Sequence, residues 1–273
     1  MSNIIRVACV QMNSSAKLEL NLQFVEQQLV EADKQQVKIV LLPENFAQMP
    51  ARAKDQHVEY INQGEVQMFL GEQAARYGIY LLAGSLPVRE KRQDKYFARS
   101  LVFDPHGQTI GSYDKIHLFD VDLSNGESYH ESSNYNAGEN SPQNTSVLSV
   151  SNARFGLTIC YDLRFPELYR RLTHQGAQII TVPAAFTYAT GEAHWQTLLR
   201  ARAIENQVYI MAAAQVGKHA NGRRTWGHSM IIDPWGTVIA ELPAKTGLLV
   251  AEIDLARQKQ IRTDFPVLQH RHL

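Results

Sequence analysis

The sequence predicts a single α/β domain spanning residues 1–273, on three observations. Short β-branched runs alternate along the chain with segments of helical spacing. The run Val37 to Leu42 is almost wholly apolar, as expected of a strand covered on both faces. No Gly/Ser-rich linker divides the chain, and 273 residues are enough to bury an extensive core.

The elements follow in order. Ile4 to Met12 reads as a strand, and Leu18, Leu22, Val25, Leu29 and Ala32 then fall at helical spacing, predicting an amphipathic helix lying on a sheet. The strand Val37 to Leu42 ends abruptly at Pro43-Glu44-Asn45. A helix is expected around Glu65 to Tyr77 and a strand at Ile79 to Ser85. Strands at Phe97 to Phe103 and Thr109 to Tyr113 are joined by Asp104-Pro105-His106-Gly107, a turn in which Pro pre-sets one backbone angle and Gly accepts a positive one. The device recurs at Asp233-Pro234-Trp235-Gly236, between Ser229 to Ile232 and Thr237 to Glu241. Ile179 to Val182, stopped by Pro183, likewise parallels Ile39 to Leu42, stopped by Pro43. These parallels suggest two related halves, each giving a sheet to one sandwich, but the identities are too few to establish a repeat without structural support. Ser124 to Thr145 lacks periodicity and is expected to be a functional lid or simply mobile.

Composition excludes several classes. Lys plus Arg and Asp plus Glu both total 27, so no basic field draws the chain onto nucleic acid. No apolar run approaches the roughly 18 residues of a membrane helix, and the N-terminus lacks a signal-peptide pattern. A cytoplasmic protein acting on a small neutral or anionic molecule is the expectation. Cys9 and Cys160 are read as free thiols in a reducing compartment.

The most informative segment runs from Phe155 to Leu168, where an apolar strand leads into a helix with Cys160 at the junction and Pro166 in the first turn. A thiol there lies beside unpaired backbone N–H groups and the positive end of a helix dipole, which favours thiolate. Cys160 is therefore a candidate nucleophile, set against the usual fate of a buried structural cysteine. Cys9, mid-strand in Val7-Ala8-Cys9-Val10, reads as core. A thiol needs a base or a cationic partner, which Glu44 at a strand end and Lys115 after a strand could supply; singly, each reads as a surface charge.

Together the segments Leu41-Leu42-Pro43-Glu44-Asn45-Phe46, Tyr113-Asp114-Lys115-Ile116-His117-Leu118-Phe119-Asp120 and Ile159-Cys160-Tyr161-Asp162-Leu163-Arg164-Phe165-Pro166-Glu167 resemble the nitrilase, or carbon–nitrogen hydrolase, superfamily. The likeness continues through Ala193-His194-Trp195, Leu199 to Gln207 and Gly227 to Gly236, nearly the whole chain. It implies a four-layer α-β-β-α sandwich, commonly paired through helices as a homodimer or higher oligomer, and a hydrolase of linear amides that uses no cofactor or metal. It implies Glu44 as general base, Lys115 as stabiliser of the tetrahedral intermediate and Cys160 as nucleophile. A second glutamate is implied after the lysine, Glu131 or its competitor Glu127. Within the superfamily the chain looks most like the Nit branch, which hydrolyses amides of α-keto acids; Ala212 to Gly217 and Gly227 to Met230 lean toward the type acting on deaminated glutathione rather than on α-ketoglutaramate.

Either substrate bears a carboxylate. Arg164 could bind it bidentately or could pair with Glu167 or Asp162. Tyr161, through its backbone N–H, is a candidate oxyanion donor, and Phe186, Thr187 and Thr190 are candidate pocket residues. The rival chemistries are a Cys–His hydrolase with His117, His194 or His228 as base, a metal site at His270 and His272, which lack any HExxH or paired CxxC spacing, and a binding or scaffold protein on a hydrolase fold.

Overall fold

A computed structural model describes residues 4–90, 94–122, 126, 128–145 and 147–272. Its layering follows from strand periodicity. In the strand Ile4–Gln11, Ile5, Val7 and Cys9 join one apolar cluster while Ala8 and Val10 join another, and all five are buried. Alternate side chains point to opposite faces, so this strand must be covered on both sides.

The first sheet has the order Gly247–Asp254, Ile4–Gln11, Ile39–Leu41, Tyr80–Leu82, Phe97–Phe103, Leu86–Arg89, Glu59–Tyr60, with Thr109–Asp114 also paired to Phe97–Phe103. Helices α1 (Leu18–Lys34) and α2 (Glu65–Tyr77) cover its outer face through Val25, Leu29, Val66, Leu70 and Ala74. The second sheet has the order Leu148–Val150, Ala153–Leu157, Ile179–Thr181, Tyr209–Ala212, Ser229–Ile232, Val238–Leu242. Helices α3 (Pro166–His174) and α4 (Tyr188–Asn206) pack on it through Leu168, Leu172, Trp195 and Leu199. Helix α5 (Leu255–Asp264) follows the last strand and is capped by Asp254, whose side chain accepts from the Ala256 and Arg257 amides. The arrangement is the α-β-β-α sandwich.

The two sheets share a common core order, and the first adds Leu86–Arg89 and Glu59–Tyr60 at one edge. Val7 pairs with Ile39 in parallel and Phe155 with Ile179 in parallel, and each half closes with an antiparallel hairpin. The hairpin turns bond identically: Asp104 accepts from the His106 and Gln108 amides, Asp233 from the Trp235 and Thr237 amides. Each hairpin also carries a register shift, between Val102 and Phe103 and between Ile231 and Ile232. This correspondence is the structural support that the sequence parallels lacked.

One expectation needs correction. The strand foreseen from Ile79 to Ser85 is Tyr80–Leu82, and a new strand begins at Leu86. The break lies at Gly84, whose φ is +52° and where a β-carbon would lie only 2.0 Å from the Pro43 carbonyl oxygen. Within the stretch expected to be a lid or mobile, part of which lies outside the described residues, Ser128–His130 pairs antiparallel with Asp120–Asp122 and runs into a turn at Glu131–Ser133, a detail its composition did not show.

Candidate active site

The site lies where three interrupted strand ends converge. Glu44 follows the strand Ile39–Leu41. Its neighbour Asn45 donates its amide to Ser85 Oγ at 3.0 Å, and its own carbonyl accepts from the buried Gln215 side chain at 3.0 Å. Lys115 follows Thr109–Asp114, its amide bonded to the Ala98 carbonyl. Cys160 follows Ala153–Leu157; its own N–H donates to the Pro183 carbonyl at 2.9 Å, and its φ is +48°. Cys160 thus opens a single turn, Cys160–Arg164, that separates the strand from α3.

The side chains meet. Lys115 Nζ lies 2.8 Å from Glu44 Oε1 and 2.9 Å from Glu131 Oε2, and Cys160 lines the same pocket as these three side chains. Glu44 Oε2 accepts the Ala185 amide at 2.8 Å, and Glu131 Oε2 accepts the Phe119 amide at 2.7 Å. Glu44, Lys115 and Cys160 are buried, so these interactions are little screened by water. Glu131 is the glutamate brought to Lys115; Glu127 lies outside the described residues.

Charge states follow from the surroundings. Burial alone would raise the Glu44 carboxyl, but the Lys115 ammonium holds it below the usual glutamate range. Burial would lower Lys115, but Glu131 and Glu44 hold it well above the usual lysine range. The Cys160 thiol is pushed well up, first by burial and then by the Glu44 carboxylate, against opposition from Lys115 and Arg223. Position and surroundings therefore pull the thiol in opposite directions: the strand-to-helix junction favours thiolate, while burial and the Glu44 carboxylate favour the protonated form. The Cys160 amide is also not free, since Pro183 takes it, whereas the Tyr161 N–H, second in the turn, has no carbonyl acceptor among the described residues.

Asp162 holds this geometry together. Fully buried, its carboxylate accepts from the Ile159 amide at 2.8 Å, from Tyr113 Oη at 2.8 Å and from the His117 amide at 3.2 Å, and it lies 2.6 Å from His117 Nδ1. It ties the turn bearing Cys160 to the segment bearing Lys115. Arg202 of α4 secures the same turn by donating twice to the Leu163 carbonyl.

Two lobes adjoin Cys160, and Phe119 and Arg223 line both as well. The wider, about 280 Å³, is bordered by Glu44, Lys115, Glu131 and Tyr129; the narrower by Tyr161, Arg164, Phe186, Thr187 and Thr190. Glu44, Lys115, Glu131 and Cys160, and the candidate substrate-binding residues Tyr161, Arg164, Phe186, Thr187 and Thr190, each lie on one of these lobes. Arg164 pairs with neither Glu167 nor Asp162; it faces His194 Nδ1 at 3.4 Å and lies over the Phe186 ring. The rival histidines stand elsewhere: His117 on Asp162, His194 against Arg164, and His228 on Glu241 at 2.6 Å. Arg223 was missed, because Asn221-Gly222-Arg223-Arg224 reads as an ordinary polar surface turn and only its basic pair hinted otherwise.

Residues 6–263 match the carbon–nitrogen hydrolase family model. The chain belongs to the carbon–nitrogen hydrolase family. Similar family members include the deaminated glutathione amidase of Yersinia enterocolitica, 45% identical over 97% of this chain and 92% of that protein, and that of Synechocystis sp., 43% identical over 97% of each. Among solved structures, Saccharomyces cerevisiae Nit3, a member of branch 10 of the nitrilase superfamily, superposes with a TM-score of 0.87 at 30% identity, covering 99% of this chain and 97% of that one. For a carbon–nitrogen hydrolase, Cys9 supplies an internal contrast: wholly buried mid-strand, its thiol is pushed up by burial alone, with no charged partner.

Proposed function

We propose that this carbon–nitrogen hydrolase is a cysteine-dependent amidase that cleaves the amide of a small carboxylate-bearing substrate through a thioester, with deaminated glutathione the expected substrate. The observation that carries the reading is the contact of one buried ammonium with two carboxylates beside a single thiol. The substrate class is supported by the activity of the similar deaminated glutathione amidases and by Arg164, which has no carboxylate partner at Glu167 or Asp162 and lines the narrow lobe.

The thiol proton passes to Glu44 as Cys160 Sγ attacks the amide carbon. The developing oxyanion is met by Lys115 Nζ and the Tyr161 N–H. Glu44 then returns the proton to the departing nitrogen as the C–N bond breaks, leaving a thioester. Water, deprotonated by Glu44, attacks the thioester and releases the acid, and the sulfur regains its proton. Glu131 keeps Lys115 charged and orients it. Phe186, Thr187 and Thr190 shape the acyl-side wall.

Assaying purified protein against deaminated glutathione, α-ketoglutaramate, aliphatic nitriles, free amino-acid amides and N-carbamoyl compounds tests the reading; highest kcat/KM on deaminated glutathione supports it, and a preference for nitriles or N-carbamoyl compounds rejects it. A preference for α-ketoglutaramate would keep the chemistry and reassign the substrate to that of an ω-amidase. Arg164→Lys compared on substrates with and without the carboxylate examines recognition, since equal losses rule out direct contact.

The same reading includes pairing of subunits in a reducing, cytoplasmic setting. Trp235, Phe265 and Ile204 are 57%, 53% and 47% exposed and cluster, with the Trp235 and Phe265 rings 6.0 Å apart. Sedimentation analysis of wild type and Trp235→Lys checks this, a monomeric wild type overturning it. Among the described residues no helix is long and apolar enough to cross a membrane.

A further inference from the structure

The proposed substrate is an anion, and the groups nearest the thiol do not by themselves welcome one. Glu44 and Glu131 together oppose the single charge of Lys115, so an arriving carboxylate meets a net negative cluster in a poorly screened pocket. Further cations must reverse that field. Arg164 is one, at the edge of the narrow lobe. Arg223 is the other, and it borders both lobes together with the nucleophile.

Arg223 arrives from the hairpin of strands Val216–Lys218 and Arg224–Trp226. Its backbone is fixed by the His219 amide, which donates to its carbonyl, and by Asn221, whose side chain accepts its amide. Its guanidinium donates through Nη2 to the Ala185 carbonyl and lies 5.1 Å from the Tyr129 ring centroid. Ala185 in turn donates its amide to Glu44 Oε2, so one residue sets both the cation and the proposed base. Arg223 Nε is buried without a hydrogen-bond partner, and among the described residues no carboxylate is paired with this guanidinium. A buried charged donor left unmatched is uncommon and calls for an acceptor.

We infer that Arg223 is a specificity-determining residue of this site: its guanidinium receives a carboxylate of the substrate, so that the pocket accepts anionic amides over neutral ones. The planar fork suits a carboxylate, and anchoring through Ala185 holds that carboxylate at a fixed distance from Glu44. The inference rests on the carboxylate-substrate reading above and adds the residue that enforces it.

The test compares wild type, Arg223→Gln and Arg223→Lys on an α-keto acid amide and on a neutral aliphatic amide of equal chain length, with thermal unfolding recorded for each. Arg223→Gln should lose some activity on both, because the guanidinium also faces the sulfur and Glu44, and should lose about 10- to 100-fold more kcat/KM on the anionic amide, chiefly through KM. Arg223→Lys should recover part of that extra factor. Equal losses on the two substrates in a wild-type background that prefers the anion overturn the inference alone. A wild type indifferent to the carboxylate overturns the substrate reading and this inference with it. Should Arg223→Gln not fold, Arg223→Lys decides, an unchanged ratio between the two substrates being the overturning result.

Discussion

The two halves of the molecule share a core strand order, the same hairpin turns and the same register shifts, yet they bring different things to the pocket. The strands Ile39–Leu41 and Ile179–Thr181 each run into a proline, Pro43 and Pro183, and the next residue is Glu44 in one half and Ala184 in the other. The first half provides charged side chains, Glu44 and Lys115. The second provides the sulfur of Cys160, the guanidinium groups of Arg164 and Arg223, and backbone groups, the Pro183 carbonyl and the Ala185 amide. A repeated scaffold can thus divide one reaction, because what recurs is an irregular strand end, where backbone groups are available and side chains converge. The side chain placed there is free to differ.

That division can be broken by experiment. Glu44→Gln keeps the shape and removes the carboxylate, and kcat should fall about 10²- to 10⁴-fold in a protein that still folds, with a lower thermal midpoint because Lys115 loses one of its two carboxylates; full activity in this variant, with loss in a His117 or His194 variant, would move the base out of the first half. Lys115→Ala leaves Glu44 and Glu131 facing each other without a cation and should cost about 3–5 kcal/mol in urea unfolding. A variant as stable as wild type would show that water already reaches the cluster. Asp162→Asn cuts the link between halves, replacing an acceptor of several donors with a group that is itself half donor; a loss of about 1–3 kcal/mol is expected, and slower turnover should accompany it if the link positions Lys115.

The smallest effect is on pH. Glu44 is held below the ordinary glutamate range, so its stabilising contribution is complete above the unfolded value of about 4.3 and is lost as pH falls through its folded value. Lys115 is held above the ordinary range, so its contribution is complete below about 10.4 and is lost as pH rises through its folded value. The profile of kcat/KM should therefore show its acid limb below the usual carboxylate range and no inflection near about 6.5. A limb there would implicate a histidine.

Much of this was legible in the sequence because it is local. Alternation in Ile4 to Met12 and helical spacing from Leu18 to Ala32 are short-range patterns, and Pro43 and Pro183 mark strand ends whatever lies around them. That Glu44, Lys115 and Cys160 belong together came from the motifs around them, while their distances came only from the fold. Less legible was what depends on distant neighbours. The surroundings of Cys160 include burial and a carboxylate 116 positions away in the chain, both of which favour the protonated thiol, and neither is visible from its strand-to-helix position. The strand break at Gly84 answers to the Pro43 carbonyl, and Arg223 matters only because its hairpin folds back over Ala185.

The left-handed backbone of Cys160 has a consequence for what else the position could hold. At φ +48° a β-carbon is tolerated at a cost of order 1–3 kcal/mol, met by the packing around the turn. Glycine at 160 would relax the backbone and forfeit the packing of a buried side chain, so the position sets a left-handed turn against a filled core.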